Sequence, residues 1–361
     1  MEMLRKAYLP VLVLLLLTGL IVKENSLFNL SAGRSVIRDP QTTEVKLLAE
    51  PRQQKSRDRI WKEIDFKLIR RVLLEGERVF RPLTIKSDQK GNIYILDFSA
   101  PDIVKFSNSG ELQIRFGMGK GKGPGELINP TDFCIDRRGN VLVVDPVNFM
   151  ITEFSAEGKV LSTFRPKRMP ERIETLPNGD VAVVSGYGSN LIAIYRNGKL
   201  ARDFGHLSEQ QERYFIAFGG DLAADSEGNL YYAFKRAGLL LSYNQNGTVR
   251  FFVKTIDATP MPKLLVFNIG GGIATRFADP SIFTAASASV DNGRVYILNY
   301  QGAKGLRGMP LDIYNSSDGS YICTVMTPGN FSSCAVKQNM MYAINDTALF
   351  IFQSRMLPYV K

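Results

Sequence analysis

The feature that most constrains the fold is a ten-residue sequence that recurs along the chain. Asp at its first position and Gly at its fourth fit a tight turn in which Gly takes positive φ. The β-branched and aromatic run that follows predicts a buried strand. The clearest copies are Asp88-Gln-Lys-Gly-Asn-Ile-Tyr-Ile-Leu-Asp97, Asp136-Arg-Arg-Gly-Asn-Val-Leu-Val-Val-Asp145 and Asp225-Ser-Glu-Gly-Asn-Leu-Tyr-Tyr-Ala-Phe234, and looser ones begin at Leu176, Asp291 and Lys337.

The spacing of the copies predicts the architecture. A second pair of strand-like runs follows each of the first five copies, joined by a Gly-containing turn such as Asn197-Gly198 or Asp318-Gly319. Such turns between alternating strands indicate hairpins. Two hairpins in units of about 40 to 50 residues are typical of propeller blades. We therefore expect an all-β fold, a six-bladed β-propeller of four-stranded antiparallel blades.

The two ends of this predicted domain complement each other. The sixth unit lacks an outer strand, and the strand-like stretch Asp65–Leu74 near the N-terminus has no partner within a unit. Pairing the two would close the ring and remove both free edges. The long interval between the fourth and fifth units holds Thr255–Ser281, rich in Pro and Gly, which we expect to be a protruding loop.

The N-terminus predicts export. Residues 1–22 carry Arg5 and Lys6 followed by an apolar run, the plan of a secretory signal. The run is short for a membrane span, which needs about 20 apolar residues. We expect a signal peptide or signal anchor at 1–22, a polar linker at 23–60 and the propeller at 61–361. The protein would then be periplasmic or extracellular, and held at the membrane by the N-terminal segment if that segment is not cleaved.

The repeats resemble a known family. The Asp-x-x-Gly-Asn turn, the strand ending at Asp97 or Asp145, and the following Ile-x-x-Phe and Gly turn resemble NHL-type repeats. More narrowly, the chain is similar to a bacterial family of six-bladed β-propellers, over about residues 65–355. The segment Phe116–Pro130 resembles the inter-blade segments of that family. The resemblance implies a six-bladed and usually exported propeller, and it supplies no active site.

Composition excludes some chemistry and favours one kind of partner. The net charge of +10 and the pI of about 9.4 favour anionic partners. His206 is the sole histidine, which excludes a catalytic histidine pair. Cys134, Cys323 and Cys334 have no metal-binding or redox spacing, so we expect buried free thiols, with a Cys323–Cys334 bridge across neighbouring strands as the alternative.

A Gly-rich segment supplies the first candidate site. Within Gly117–Gly125, Gly119-Lys120 and Gly121-Lys122 are each followed by Gly, whereas a phosphate-binding loop needs Ser or Thr there. We expect an inter-blade crossover. Lys120 and Lys122, with nearby backbone N–H groups, are candidates for binding an anion at one mouth of the ring.

The acids that end the repeat are the second candidates. Asp97 and Asp145 stand where loops gather on one face, and in calcium-dependent lactonase-like propellers such side chains converge on a metal. The equivalent positions in other units hold Ser185, Phe234 and Asn299, which weakens that reading. The alternative is that these side chains cap the loop backbone.

Basic and aromatic residues between the blades are the third set. Tyr187, Arg236 and Tyr300 are predicted to share one face, where they would contact a ligand. Such pairs also hold single-stranded nucleic acid, but export argues against that partner.

We therefore expect an exported or membrane-tethered binding or scaffold module. It would recognise a protein, a peptide or an anionic polysaccharide at one mouth of the ring, with no catalysis, metal or cofactor of its own. Two alternatives stay open. One is a calcium-dependent lactonase-like hydrolase, and the other is an NHL-type nucleic-acid-binding module in the cytoplasm.

Overall fold

The computed structural model describes residues 41–269, 272–280, 282–301 and 307–354. The predicted signal at 1–22 and the first part of the predicted linker lie outside these residues. The described chain is almost entirely β, with 28 strands and one 3-10 turn at Phe215–Phe218. No helix of the described residues is long and apolar enough to cross a membrane.

The chain divides into two compact units. The smaller comprises residues 1–39 and 267–274, of which 267–269 and 272–274 are described and are strand. The larger comprises residues 40–266 and 275–361 and contains the repeats. Its first strands are β1 (Gln41–Glu44), β2 (Trp61–Lys62) and β3 (Phe66–Leu73).

Six antiparallel sheets, one per predicted repeat, form the larger unit, and we call them blades 1 to 6. Blades 1 to 3 take four strands each, in chain order β4 (Pro82–Ser87), β5 (Ile93–Asp97), β6 (Asp102–Phe106), β7 (Leu112–Phe116), β8 (Asp132–Ile135), β9 (Val141–Asp145), β10 (Met150–Phe154), β11 (Val160–Phe164), β12 (Pro170–Thr175), β13 (Val181–Ser185), β14 (Ile192–Arg196) and β15 (Lys199–Phe204).

Blade 4 follows blade 3 after a connection that contains the 3-10 turn, and a hairpin separates blade 4 from blade 5. Blade 4 is β16 (Gly220–Ala224), β17 (Leu230–Phe234), β18 (Leu239–Tyr243) and β19 (Val249–Lys254), and the hairpin strands are β20 (Lys263–Ile269) and β21 (Gly272–Phe277). The last two blades hold β22 (Ala285–Asp291), β23 (Arg294–Asn299), β24 (Pro310–Asn315), β25 (Tyr321–Met326), β26 (Ser333–Lys337), β27 (Met340–Ile344) and β28 (Ala348–Ser354).

The repeated turn explains why each blade begins as it does. In the first copy, Asp88 Oδ1 accepts the backbone N–H groups of Lys90 (2.8 Å) and Asn92 (2.9 Å), and Asn92 Nδ2 donates to Asp88 Oδ2 (2.8 Å). Gly91 takes a φ of 79°. The copies that begin at Asp136 and Asp225 repeat these bonds. The motif is therefore a turn stabilised by its own side chains, and the strand after it is fully buried.

The predicted ring closure is confirmed. Strand β3 pairs antiparallel with β28, from Phe66 opposite Ser354 to Leu73 opposite Ala348. It supplies the fourth strand of blade 6. Val72 lies in a core cluster that also contains residues of blades 1 and 6. The first and last parts of the domain are therefore held in one sheet.

The predicted linker is not a free tether from residue 41 onward. Strand β1 pairs with β20, and Val45 is buried. Gln54 Nε2 donates to the carbonyls of Lys254 (2.7 Å) and Gly319 (3.0 Å), so it joins blades 4 and 5. Strand β2 adds a parallel fifth strand to blade 5 beside β25. We call residues 41–62 the strap.

Two further expectations can be compared with the structure. The stretch Thr255–Ser281, expected to be a loop, contains strands β20 and β21, because the alternation within Lys263–Ile269 suits a strand. The three cysteines are buried free thiols, as predicted.

Ring closure through β3 can be tested with two neighbouring substitutions. Val72→Ala should lower the free energy of unfolding by about 2 kcal/mol, because the Val72 side chain is only 8% exposed. Leu73→Ala removes more atoms, but Leu73 is 60% exposed, so we expect a change within about 0.5 kcal/mol. Urea unfolding of both variants measures the difference. An equal effect of the two would contradict the pairing of β3 in blade 6.

Candidate functional site

The central channel is lined by the first strand of each blade, namely β4, β8, β12, β16, β22 and β26, and consecutive members of this set pack against one another. Each of these inner strands is hydrogen-bonded to its own blade along one edge only. Backbone N–H groups on the other edge need acceptors, since an unpaired buried donor is costly. Side chains of neighbouring inner strands supply them.

Side-chain oxygens of one blade accept backbone N–H groups of the next. Asp132 Oδ2 accepts from Ile173 (2.9 Å), and Asp221 Oδ2 accepts from Ala288 (2.8 Å). Ser287 Oγ accepts from Cys334 (3.0 Å), and Ser333 Oγ accepts from Ile85 (3.4 Å). These bonds join blades 2 and 3, 4 and 5, 5 and 6, and 6 and 1.

Two ion pairs make the remaining links. Lys86 Nζ lies 3.2 Å from Asp132 Oδ1, which joins blades 1 and 2. Arg172 Nε lies 3.3 Å from Asp221 Oδ1, which joins blades 3 and 4. We call these two pairs and the four bonds above the inner ring. Every neighbouring pair of blades is thus linked across the channel wall.

Burial shifts the pKa values of inner-ring groups and of Glu174, which contacts Lys86. Desolvation raises the pKa of Glu174 to about 7, although Lys86 Nζ is only 2.7 Å from its carboxylate. Desolvation also raises the pKa of Asp132, against the opposing effect of Lys86 and Arg172. Burial opposes the charged form of Lys86, but Asp132 and Glu174 raise its pKa.

The two predicted strand-end acids bind backbone. Asp97 accepts the N–H groups of Phe80 (2.7 Å), Arg81 (3.0 Å) and Ser99 (2.9 Å). Asp145 does the same for its own crossover, with Ile128 N at 2.6 Å. Both carboxylates are buried. Asp97 and Asp145 therefore cap the loop backbone, which was the alternative to their converging on a metal.

The Gly-rich crossover is folded onto itself. Glu126 Oε2 accepts the Gly123 N–H (2.7 Å), and the Gly121 N–H is bonded to the Leu127 carbonyl (3.2 Å). Lys120 and Lys122 are exposed on this segment. Two of the N–H groups expected to hold an anion thus already have partners within the crossover, and anion binding by the two lysines stays a prediction.

The basic and aromatic candidates Tyr187, Arg236 and Tyr300 have different surroundings in the structure. Tyr187 is 56% exposed and packs edge-on against Phe215, with ring centroids 5.5 Å apart. The Arg236 guanidinium lies between the rings of Phe277 (4.0 Å) and Phe283 (3.8 Å). It also donates to the carbonyls of Pro280 and Ile282. Arg236 therefore holds the loop that carries Phe283.

Tyr300 and Phe283 stand at the mouth of a cavity of about 830 Å³. The cavity opens where the inner strands begin and the second strands end, the face on which loops were predicted to gather. The two rings pack edge to face with centroids 6.1 Å apart, and they are 42% and 38% exposed. Arg172 and Asp221 of the inner ring also line the cavity.

Lys235 also lines this cavity. In the sequence it is one of several basic residues between the blades, and nothing there marks it out from the others. Its backbone is fixed, since its N–H donates to Gly219 (2.9 Å) and its carbonyl accepts from Thr284 (2.7 Å). Burial and the nearby Arg172 lower the pKa of its ammonium to about 8. Among the described residues, the ammonium has no hydrogen bond and no carboxylate oxygen within 4.0 Å.

The acidic residues near Lys235 affect its pKa through charge interactions, without a hydrogen bond to its ammonium. Asp221, Glu171 and Asp132 each raise its pKa, but less than burial and Arg172 lower it. Within the described residues, no group of three or more His, Cys, Asp or Glu side chains is arranged to hold a metal ion.

Comparisons with known proteins identify the fold. Residues 80–173 match the model of a family described as 6-bladed beta-propeller. The protein is a six-bladed β-propeller. Sequence comparison finds no match among curated proteins.

Solved structures agree with this fold. A candidate exported protein of Bacteroides fragilis superposes on the propeller with a TM-score of 0.53 at 10% identity, covering 82% of this chain and 95% of that one. Virginiamycin B lyase from Staphylococcus aureus gives a TM-score of 0.50 at 13% identity, covering 80% and 99%. A catalytically inactive variant of that lyase with quinupristin gives 0.51 at 14%, with the same coverage. At these identities the likeness shows the fold alone.

Glu174, which contacts Lys86 of the inner ring, predicts a pH dependence of stability. The folded-state pKa of Glu174 is about 7, above its ordinary value of 4.5, so folding retains a proton that the unfolded chain loses first. The contribution of Glu174 to stability is therefore fully present below pH 4.5 and is lost as the pH rises toward 7. Glu174→Gln should reduce the decline of the urea midpoint between pH 5 and pH 7.

Glu111→Gln is the matched control, because Glu111 is exposed on blade 1. Its stability profile should run parallel to that of the wild type. If Glu174→Gln also runs parallel to the wild type over this pH range, the buried environment assigned to Glu174 is wrong.

Proposed function

We propose that the propeller is a ligand-binding module that seats its ligand in the cavity at the mouth beside Tyr300. The observation that carries the proposal is the combination found there. The ammonium of Lys235, which is partly buried and has no partner among the described residues, lines the same cavity of about 830 Å³ as two exposed aromatic rings. Ligand pockets usually measure about 300 to 1,000 Å³ and combine apolar walls with a few polar groups.

The channel carboxylates support binding rather than chemistry. Asp132 and Asp221 each accept a backbone N–H and also meet a cation, so they are occupied in joining blades. Substitution of either residue would therefore break links between blades, which is a structural effect. The groups at the mouth that remain available, the rings of Phe283 and Tyr300 and the ammonium of Lys235, are those that recognise a ligand.

Several contacts hold the loop that carries Phe283, which favours affinity. Arg236 holds the Phe283 loop through two carbonyls and two rings, and Thr284 Oγ1 donates to the Phe234 carbonyl (2.8 Å). A preformed site loses little conformational entropy on binding. We assign Arg236 to positioning Phe283 and Tyr300 to contact with the ligand, which refines the sequence prediction for both.

Export is part of this proposal. Residues 1–22 have the composition of a secretory signal, and the Bacteroides fragilis protein with a similar fold is itself described as a candidate exported protein. A periplasmic or extracellular location, with a membrane tether if the segment is retained, would place the mouth before polysaccharide, peptide or protein ligands. Cell fractionation tests this, and recovery of the native protein in the cytosol would contradict it.

Filling the cavity tests the site. Ala286 lines the cavity and is partly buried, so Ala286→Trp should fill the space a ligand needs. We expect it to lower binding at least tenfold across immobilised acidic oligosaccharides, neutral oligosaccharides and peptides, for whichever of these the wild type retains. Gln89→Trp, in the exposed β4–β5 turn at the opposite end of the inner strands, is the control and should bind as the wild type does.

Two results would contradict the proposal. In one, Ala286→Trp binds as tightly as the wild type while remaining folded by circular dichroism. In the other, Gln89→Trp abolishes binding, which would place the ligand at the opposite mouth.

A further inference from the structure

The chemistry around Lys235 narrows the class of ligand, and this inference rests on the proposed function. We infer that the propeller binds a hydroxylated ring that carries a carboxylate, as in a uronic acid, with the carboxylate on the ammonium of Lys235 and the ring against Phe283 and Tyr300. The source can be a free sugar acid or one unit of an acidic polysaccharide.

The first observation is that the Lys235 ammonium has no partner among the described residues. Taking a charge partly out of water without a partner opposes folding, and a ligand of opposite charge removes that cost. The other cations that line the cavity are differently placed. Arg172 is paired with Asp221 and donates to the carbonyl of Glu171, and Arg81 is exposed and lies over the Phe98 ring at 4.8 Å. Among the described cations that line the cavity, Lys235 is therefore the one that is partly buried and has ammonium hydrogens left for a ligand.

The kind of anion follows from the shape of the donor. An ammonium is a compact charge with three donors, which suits the oxygens of a carboxylate. Asp346 stands on the same rim and would oppose a highly charged group such as a phosphate monoester. A singly charged carboxylate is thus the best fit to Lys235 in this setting.

The wall of the cavity indicates the rest of the ligand. The exposed rings of Phe283 and Tyr300 offer apolar surface, while Thr84, Ser332 and Gln301 place hydroxyl and amide groups around the same space. A sugar ring has the complementary character, with C–H groups that pack on an aromatic face and hydroxyls around its edge. The lining therefore favours a hydroxylated ring over an acidic peptide.

Calorimetric titration tests the inference with four probes, which are galacturonic acid, trigalacturonate, neutral maltotriose and a triglutamate peptide. We expect the wild type to bind galacturonic acid or trigalacturonate and to prefer them to maltotriose and triglutamate. Equal affinity per site for the monomer and the trimer would indicate a free sugar acid as ligand. At least tenfold tighter binding of the trimer would indicate a polysaccharide unit.

Variants at position 235 separate a binding role from a structural one. Lys235→Met should weaken binding of the preferred uronate at least tenfold, because a charge-assisted hydrogen bond is lost. Its melting temperature should equal or exceed that of the wild type, because the substitution removes a partly buried unpaired charge. Lys199→Met, at an exposed position on the outer strand β15, is the matched control and should change neither property.

The pH dependence adds an independent readout. Binding by the wild type should weaken as the pH rises from 7 to 9, because the Lys235 ammonium loses its proton near pH 8. The groups that act on it are Arg172, Asp221, Glu171 and Asp132. Lys235→Arg keeps its charge at pH 9, so it should retain binding there.

The outcomes distinguish this inference from the proposed function. Undiminished uronate binding by Lys235→Met overturns the inference, as does preference for triglutamate or for maltotriose, or a wild type that binds none of the four probes. If Ala286→Trp loses binding of another ligand while Lys235→Met does not, the site at the mouth stands and the ligand class is wrong. If both variants bind the uronate as the wild type does, both proposals fail.

Discussion

The free edge of the inner strands is the constraint on which the rest of the structure depends. Six strands face the channel, each with backbone donors that its own blade cannot satisfy. In the inner ring, carboxylate and hydroxyl oxygens of one blade accept hydrogen bonds from these donors in the next blade. Asp132 accepts from the Ile173 N–H, and Ser287 accepts from the Cys334 N–H. Sheet hydrogen bonds hold each blade together, and these side chains join one blade to the next.

The carboxylates of the channel have a structural role, whereas the ammonium of Lys235 is available for function. A channel lined by Asp132, Glu174 and Asp221 resembles an active site until their partners are traced, and each proves to be bonded to a neighbouring blade or to Lys86. Lys235 differs because it is partly buried beside the same network without a partner among the described residues. A partly buried charge without a partner lowers the stability of the folded protein. Natural proteins retain such destabilising residues where function requires them.

Much of the fold could be predicted because its determinants are local. Asp88, Gly91 and Asn92 form their turn within five residues, and the same pattern recurs at the blade period. The β3 closure followed from counting strands. The strap and the inner ring could not be predicted, because Gln54 meets Gly319 and Ser287 meets Cys334 only after the ring has closed. Among the predicted site residues, Tyr300 lies on the cavity wall and Arg236 lies behind Phe283. Their neighbour Lys235 is one of several basic residues between the blades in the sequence, and only its lack of a partner among the described residues distinguishes it.

A crystal structure of the propeller soaked with trigalacturonate tests the central claim most directly, because it locates the ligand without assuming where it binds. The account predicts a uronate ring against Phe283 and Tyr300, with its carboxylate about 2.7 to 2.9 Å from Lys235 Nζ. Electron density for the ligand at the opposite mouth, or on the crossover at Lys120 and Lys122 with the cavity left to solvent, would contradict it.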